Sequence, residues 1–134
     1  MSKIFFGVFL VLHGLVHLLY VGQSQRMFEL QPGMVWPDGS WLLSRLLNNE
    51  TVRWVTAVSL VIAALAFVIS AAGLFLGQSW WRWALVGAAA FSSALYLVVW
   101  DGSGKNLDDK GAVGLLINVA LVTAVLIFNW PQIK

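Results

Sequence analysis

The sequence predicts an all-α membrane protein, a four-transmembrane-helix up-and-down bundle with a short interfacial helix in its first long loop. Of its 134 residues, 60% are hydrophobic and 10% are charged, and the mean hydropathy is +0.82. These values lie well outside the profile of a soluble domain. Four apolar runs each reach the roughly 17 to 25 residues that a helix needs to cross a hydrocarbon core about 30 Å thick.

The predicted spans are distributed along the whole chain, so we expect residues 1–134 to form a single integral membrane domain. The spans are residues 4–22, 52–76, 81–100 and 112–130. None contains an acidic residue, and Arg53 and Arg82 fall only at span ends. Amphipathic rings favour the headgroup level, so an aromatic belt supports these boundaries. The belt consists of Tyr20, Trp54, Trp80, Trp81, Trp83, Trp100 and Trp130.

Four spans divide the connections between two sides. The termini and the 77–79 turn lie on one side of the membrane, which we call the terminal side. Residues 23–51 and 101–111 lie on the other, which we call the loop side. The terminal side carries Lys3, Arg82 and Lys134 and no acidic side chain. The loop side has more basic residues, but it also carries all six acidic residues of the chain. These are Glu29, Asp38, Glu50, Asp101, Asp108 and Asp109. Uncompensated cations in short segments favour the cytoplasm, so we expect cytoplasmic termini in a plasma or inner membrane.

The first long loop, residues 23–51, contains two recognisable segments. "PGMVWPDGS", residues 32–40, is rich in Pro, Gly and Asp and predicts repeated turns. In the following "SWLLSRLLNN", apolar residues oppose Ser44, Arg45 and Asn48, which favours a helix lying flat over the bundle. An ordered connector without a helix explains the pattern equally well. The apolar residues are Trp41, Leu42 and Leu46, flanked by Leu43 and Leu47.

A stripe of small residues follows the second span. Close approach through small side chains drives helix association in lipid, and a 3.5-residue period predicts a left-handed seam. We expect hydroxyls on this stripe to bond to their own helix. The stripe and the small size of the chain also predict a homo-oligomer or a larger membrane complex. The stripe consists of Thr56, Ser59, Ala63, Ala66, Ser70, Gly73 and Gly77.

Polar residues in three spans match in depth. His13, His17 and Tyr20 share one helix face. From the loop side, His17 lies ~8 Å deep, Tyr96 ~6 Å and Asn118 ~9 Å. His13 lies ~14 Å deep, near Ser92 and Ser93 at ~11 to 12 Å and Thr123 at ~16 Å. Polar groups at this depth face the interior. We therefore predict a ligand-binding polar pocket, open to the loop side beneath residues 23–51. It contains His13, His17, Tyr20, Ser92, Tyr96 and Asn118.

The histidine pair permits several chemistries. Imidazoles at i and i+4 can chelate one metal ion from a single helix face, so His13 and His17 are candidate ligands for zinc or copper. Further ligands would have to come from the loop side, and a methionine among them would suit copper. The loop-side candidates are Met27, Glu29, Met34 and Asp101. Neighbours on one face cannot supply both axial ligands of a haem, which leaves haem with a single ligand or shared between two chains.

Transport, catalysis and a structural role remain as alternatives. The chain resembles small four-helix multidrug exporters in size and span count; the resemblance implies a carboxylate in the first span, which a histidine would have to replace here. Catalysis would use His17 as a general base with Tyr96 or Ser92, yet no nucleophile elbow, P-loop or zincin motif accompanies them. In a structural role, the histidines would bond to Tyr96 and Asn118, at roughly 0.6 kcal/mol per bond.

Composition excludes other classes of function. The chain has no cysteine, so disulfides, thiolate nucleophiles, iron–sulfur clusters and thiolate zinc sites are absent. Its scattered basic residues do not predict nucleic-acid binding. We therefore expect a compact accessory or small-ligand-binding protein of the lipid bilayer rather than a freestanding enzyme. A small transporter, or a metal or haem protein using His13 and His17, is the alternative.

Overall fold

The computed structural model describes residues 1–105 and 107–132. In this part of the chain there are four α-helices and no strand, which confirms the all-helical prediction. The side chains of Asp108 and Asp109, and all of Lys134, which the sequence analysis assigned to the two sides, lie outside the described residues. The helices are α1 (Ser2–Ser24), α2 (Asn49–Phe75), α3 (Trp81–Val99) and α4 (Ala112–Leu126).

Three of these helices are long and apolar enough to cross a membrane: α1 with 23 residues, α2 with 27 and α3 with 19. This length and composition suggest a membrane location. The fourth helix has only 15 residues and ends before the predicted limit at residue 130. Asn129 adopts a left-handed φ of 51°, the N–H of Trp130 turns back to the Ala124 carbonyl at 3.0 Å, and Pro131 cannot continue a helix.

The second helix begins three residues before the predicted span, because Asn48 caps it. The Asn48 Oδ1 accepts the N–H of Thr51 at 2.8 Å, which satisfies one of the free donors of the first turn. The interfacial helix predicted just before it is a single 3₁₀ turn, Leu43–Arg45. The Ser40 hydroxyl donates to the Val98 carbonyl and accepts the N–H groups of Leu42 and Leu43, so a side-chain turn at Ser40 replaces the first turn of the predicted helix.

The second helix packs along both α1 and α3. A Cβ added to Gly14 of α1 would lie 3.0 Å from the Ala64 carbonyl oxygen of α2, so the two backbones are almost in contact. The Thr56 and Ser70 hydroxyls donate to carbonyls of their own helix at 2.7 and 2.8 Å. The prediction that these hydroxyls bond within α2 is therefore confirmed.

Residues 36–41 of the long loop close the last turn of α3. The final carbonyls of a helix have no partner within it, and here donors from the loop occupy them. The indole N–H groups of Trp36 and Trp41 donate to Val99 and Leu97 at 3.1 and 2.7 Å, the Ser40 hydroxyl donates to Val98, and the Trp41 backbone N–H donates to Trp100 at 2.8 Å.

Candidate functional site

Four polar side chains from three helices form one hydrogen-bonded cluster in the interior. The His13 Nε2 lies 2.8 Å from the Asn118 Oδ1, and the His17 Nε2 lies 2.7 Å from the Ser92 Oγ. The Asn118 Nδ2 is 3.0 Å from the Ser92 Oγ. His13 is 5% exposed and the other three side chains are 0 to 1% exposed. We call His13, His17, Ser92 and Asn118 the polar cluster.

The donors and acceptors of the polar cluster fit together in one direction. The His17 Nδ1 faces the His13 carbonyl at 2.9 Å, which can only accept, so Nδ1 carries the proton and Nε2 accepts from the Ser92 hydroxyl. The Ser92 oxygen then accepts from the Asn118 amide, whose Oδ1 accepts from the His13 Nε2–H. The bonds run from the imidazole of His13 through Asn118 of α4, Ser92 of α3 and His17 to the His13 backbone carbonyl, and in this arrangement His17 is neutral.

The start of α4 sets the level of Asn118. The sequence-derived depths placed Asn118 beside His17, and Thr123 beside His13. Instead Asn118 bonds to His13, and Thr123 bonds to its own helix. A Cβ added to Gly111 would lie 2.2 Å from the Tyr96 ring, so α4 begins beside Tyr96. Since Tyr96 lies about one turn before the end of α3, α4 begins ~5 Å deeper in the bundle than α3 ends. This offset accounts for the exchange of partners.

Aromatic rings surround the polar cluster and close it from the loop side. The His17 ring stacks on Tyr96 with centroids 5.7 Å apart, and Tyr20 contacts both Tyr96 and Trp36 edge-on at 5.8 and 5.6 Å. Trp36 is 2% exposed. These rings cover the polar cluster on the loop side, and we call Tyr20, Trp36 and Tyr96 its roof.

Gln23 and Asp38 hold this roof in place, and the sequence analysis assigned no role to either. The fully buried Gln23 amide donates to the Met34 and Trp36 carbonyls at 3.1 and 3.2 Å and accepts the Leu30 N–H at 2.7 Å. Asp38 approaches Arg26 at 2.5 Å and Arg53, at the start of α2, at 3.2 Å. These contacts join the loop to α1 and α2.

A cavity of about 250 Å³ reaches the polar cluster sideways, between α3 and α4. Ser93 accepts the second N–H of the Asn118 amide at 3.2 Å. The Ser93 hydroxyl proton has no acceptor among the described residues, so it is free to donate into the cavity. The lining is otherwise mostly apolar and comprises Val86, Ala89, Ala90, Ser93, Asn118, Val119, Val122 and Thr123.

The geometry limits what the histidines can bind. Each Nε2 is engaged by Asn118 or Ser92, and the His17 Nδ1 by a carbonyl. The two imidazoles stand at 81° to each other with centroids 5.3 Å apart. Among the described residues no group of three His, Cys, Asp or Glu side chains could share a metal ion. A metal bound by both histidines would have to break the polar cluster, which argues against a resident zinc or copper centre.

Ser92 and His17 have the hydrogen bonding of a nucleophile and its base, because the far nitrogen of the imidazole is oriented by a third group. Both side chains are 0% exposed, and the cavity between α3 and α4 is lined by Ser93 and Asn118 rather than by this pair. The Ser92 oxygen is therefore closed off from this cavity in the structure. Comparisons with family models, curated proteins and solved structures found no match to this chain.

Proposed function

We propose that this chain is an integral membrane protein of four alternating spans that binds a small apolar molecule from the bilayer between α3 and α4. The observation that carries the proposal is the Ser93 hydroxyl, whose proton has no acceptor among the described residues and which lines an otherwise mostly apolar cavity of about 250 Å³. Apolar walls with a few placed polar groups are typical of small-ligand sites. The polar cluster supports the site from behind, because it fixes the Asn118 amide against Ser93.

The ligand should carry an oxygen that accepts hydrogen bonds. The Asn118 amide spends both of its N–H groups on Ser92 and Ser93, so the donor left for a ligand is the Ser93 O–H. A ketone, ester or quinone-type carbonyl on a hydrophobic body meets both requirements. In this proposal the protein is a binding or accessory component, and His13 and His17 position the site without touching the ligand.

The proposed orientation puts the termini in the cytoplasm. Lys3 and Arg82 lie on the terminal side, where the described segments contain no acidic residue. On the loop side, Asp38 and Asp101 pair with Arg26, Arg53 and Lys110. The cations of the terminal side crowd very short segments next to span ends, where Lys and Arg favour the cytoplasmic side.

Competition photolabelling tests the binding proposal. An alkyl benzophenone carries the required carbonyl and cross-links to nearby C–H bonds on irradiation, so purified protein in detergent should be labelled on Val119 or Val122. A long-chain methyl ketone should compete with this label, whereas the alkane of equal length should not. Ser93→Ala should weaken ketone competition several-fold, on the order of tenfold for a bond worth about 1.4 kcal/mol.

Ser70→Ala is the matched control, because the Ser70 hydroxyl donates to the Ala66 carbonyl of its own helix at 2.8 Å. This variant should keep the selectivity for ketone over alkane. Equal competition by ketone and alkane, or unchanged ketone competition in Ser93→Ala, would overturn the proposal.

A further inference from the structure

A second groove lies on the opposite flank of α4, between α4 and α1. Its volume is about 510 Å³, within the range of ligand-binding clefts. The groove lies toward the terminal side, where Phe6 contacts both Trp81 and Trp130 edge-on at 6.0 and 5.1 Å. It is lined by Phe5, Phe6, Phe9, Ile117, Ala120, Leu121 and Trp130.

An arginine without a carboxylate partner stands at the end of this groove. Among the described residues, Arg82 bonds only to neutral oxygens: the Asn129 side chain, the Asn129 carbonyl at 3.5 Å and the Pro131 carbonyl at 3.3 Å. Asn129 and Pro131 flank Trp130, so the guanidinium is anchored beside the groove lining. It also lies over the Trp81 ring at 5.4 Å.

The described segments around Arg82 contain no acidic side chain. Residues 1–12, 77–83 and 126–132, which lie toward this end of the described chain, contain no Asp or Glu and include the further cation Lys3. The Nε–H of Arg82 has no acceptor among the described residues. An anion is therefore the complementary partner for this corner, and a long apolar chain is the complement of the adjoining groove.

We propose that the groove between α1 and α4 holds an acyl chain of an anionic phospholipid, whose phosphate group binds Arg82. The inference rests on the bilayer placement proposed above but not on the site between α3 and α4. It also fits the proposed orientation, because anionic lipids are concentrated in the cytoplasmic leaflet. The bound lipid would cover the short fourth helix on this flank.

Native mass spectrometry of the purified protein tests this proposal. The probe is an equimolar mixture of phosphatidylglycerol and phosphatidylcholine with identical acyl chains. We expect one retained phospholipid, with phosphatidylglycerol favoured at least threefold. Arg82→Gln should abolish this preference, whereas Arg82→Lys, which keeps the charge, should retain part of it. Arg45→Gln, at an exposed arginine of the loop side, is the matched control and should leave the preference intact.

A groove-filling variant keeps the test decisive if Arg82→Gln does not fold. Ala120 is an exposed groove residue, and Ala120→Trp should displace the lipid while leaving the circular dichroism of the helices unchanged. Ala72→Trp, at an exposed alanine of α2, should retain it. Equal retention of the two lipids, or phosphatidylglycerol retained unchanged in Ala120→Trp, would overturn the proposal, whatever the result for ketone binding at Ser93.

Discussion

The bond between His13 and Asn118 should contribute measurably to stability. Its atoms are 2.8 Å apart and its residues are 5% and 1% exposed. Hydrogen bonds between membrane helices average about 0.6 kcal/mol and reach about 1.7. Because this bond is buried on both sides, we expect a coupling energy of about 1 kcal/mol. Asn118→Leu also removes the bonds to Ser92 and Ser93, so this variant should lose about 2 kcal/mol of the free energy of unfolding.

A double-mutant cycle measures this coupling energy. Unfolding of the parent protein, His13→Leu, Asn118→Leu and the double variant would be followed by helical circular dichroism during titration of mixed micelles with dodecyl sulfate. The double variant should be more stable than the sum of the single losses predicts, because it leaves no buried polar group unpaired. Thr123→Val, whose hydroxyl bonds within α4 at 2.8 Å, should change stability by less than about 0.5 kcal/mol. A coupling energy of zero within error would refute the assignment of this bond.

Further variants test the start of α4 and the roof. Gly111→Ala should lower the free energy of unfolding by at least about 2 kcal/mol, because a left-handed φ of 97° strains any other residue and the new Cβ would meet the Tyr96 ring at 2.2 Å. Thermal unfolding measures this loss. Gly104→Ala is the control, because a Cβ at Gly104 would lie in open space. Trp36→Phe should expose the end of α3 to faster amide hydrogen exchange, because the Val99 carbonyl loses its donor at 3.1 Å; unchanged exchange would contradict the capping role. Gln23→Leu should make the 25–48 loop sensitive to protease while α2 stays protected, and an unchanged digestion pattern would count against the role of its amide.

Composition and run length predicted the helices well. The described α1, α2 and α3 overlap the predicted spans and differ from them by at most three residues at either end. The fourth span was predicted too long, because the apolar run to Trp130 outweighed the Asn129 and Pro131 signals. Hydropathy measures how apolar a segment is, whereas a left-handed residue and a proline end the helix through its backbone.

The sequence also predicted which residues of the polar cluster belong together. The spacing of His13 and His17 indicates one face, and depth singled out Ser92 and Asn118. It could not give the partner of each, because α4 starts about one turn below the end of α3, and that level depends on the contact between Gly111 and Tyr96. A loop-side opening was predicted, whereas the cavity that Asn118 lines reaches the polar cluster sideways, between α3 and α4.

The capping of α3 by the first loop has a consequence for the order of assembly. The donors of Trp36, Ser40 and Trp41 are 63, 58 and 56 residues away from the carbonyls that they occupy, and they are synthesised long before α3. Contacts this distant in sequence form only after the intervening chain has been placed. The first loop therefore cannot form these hydrogen bonds while α2 inserts. It adopts its final structure only after α3 has been synthesised and has packed against it.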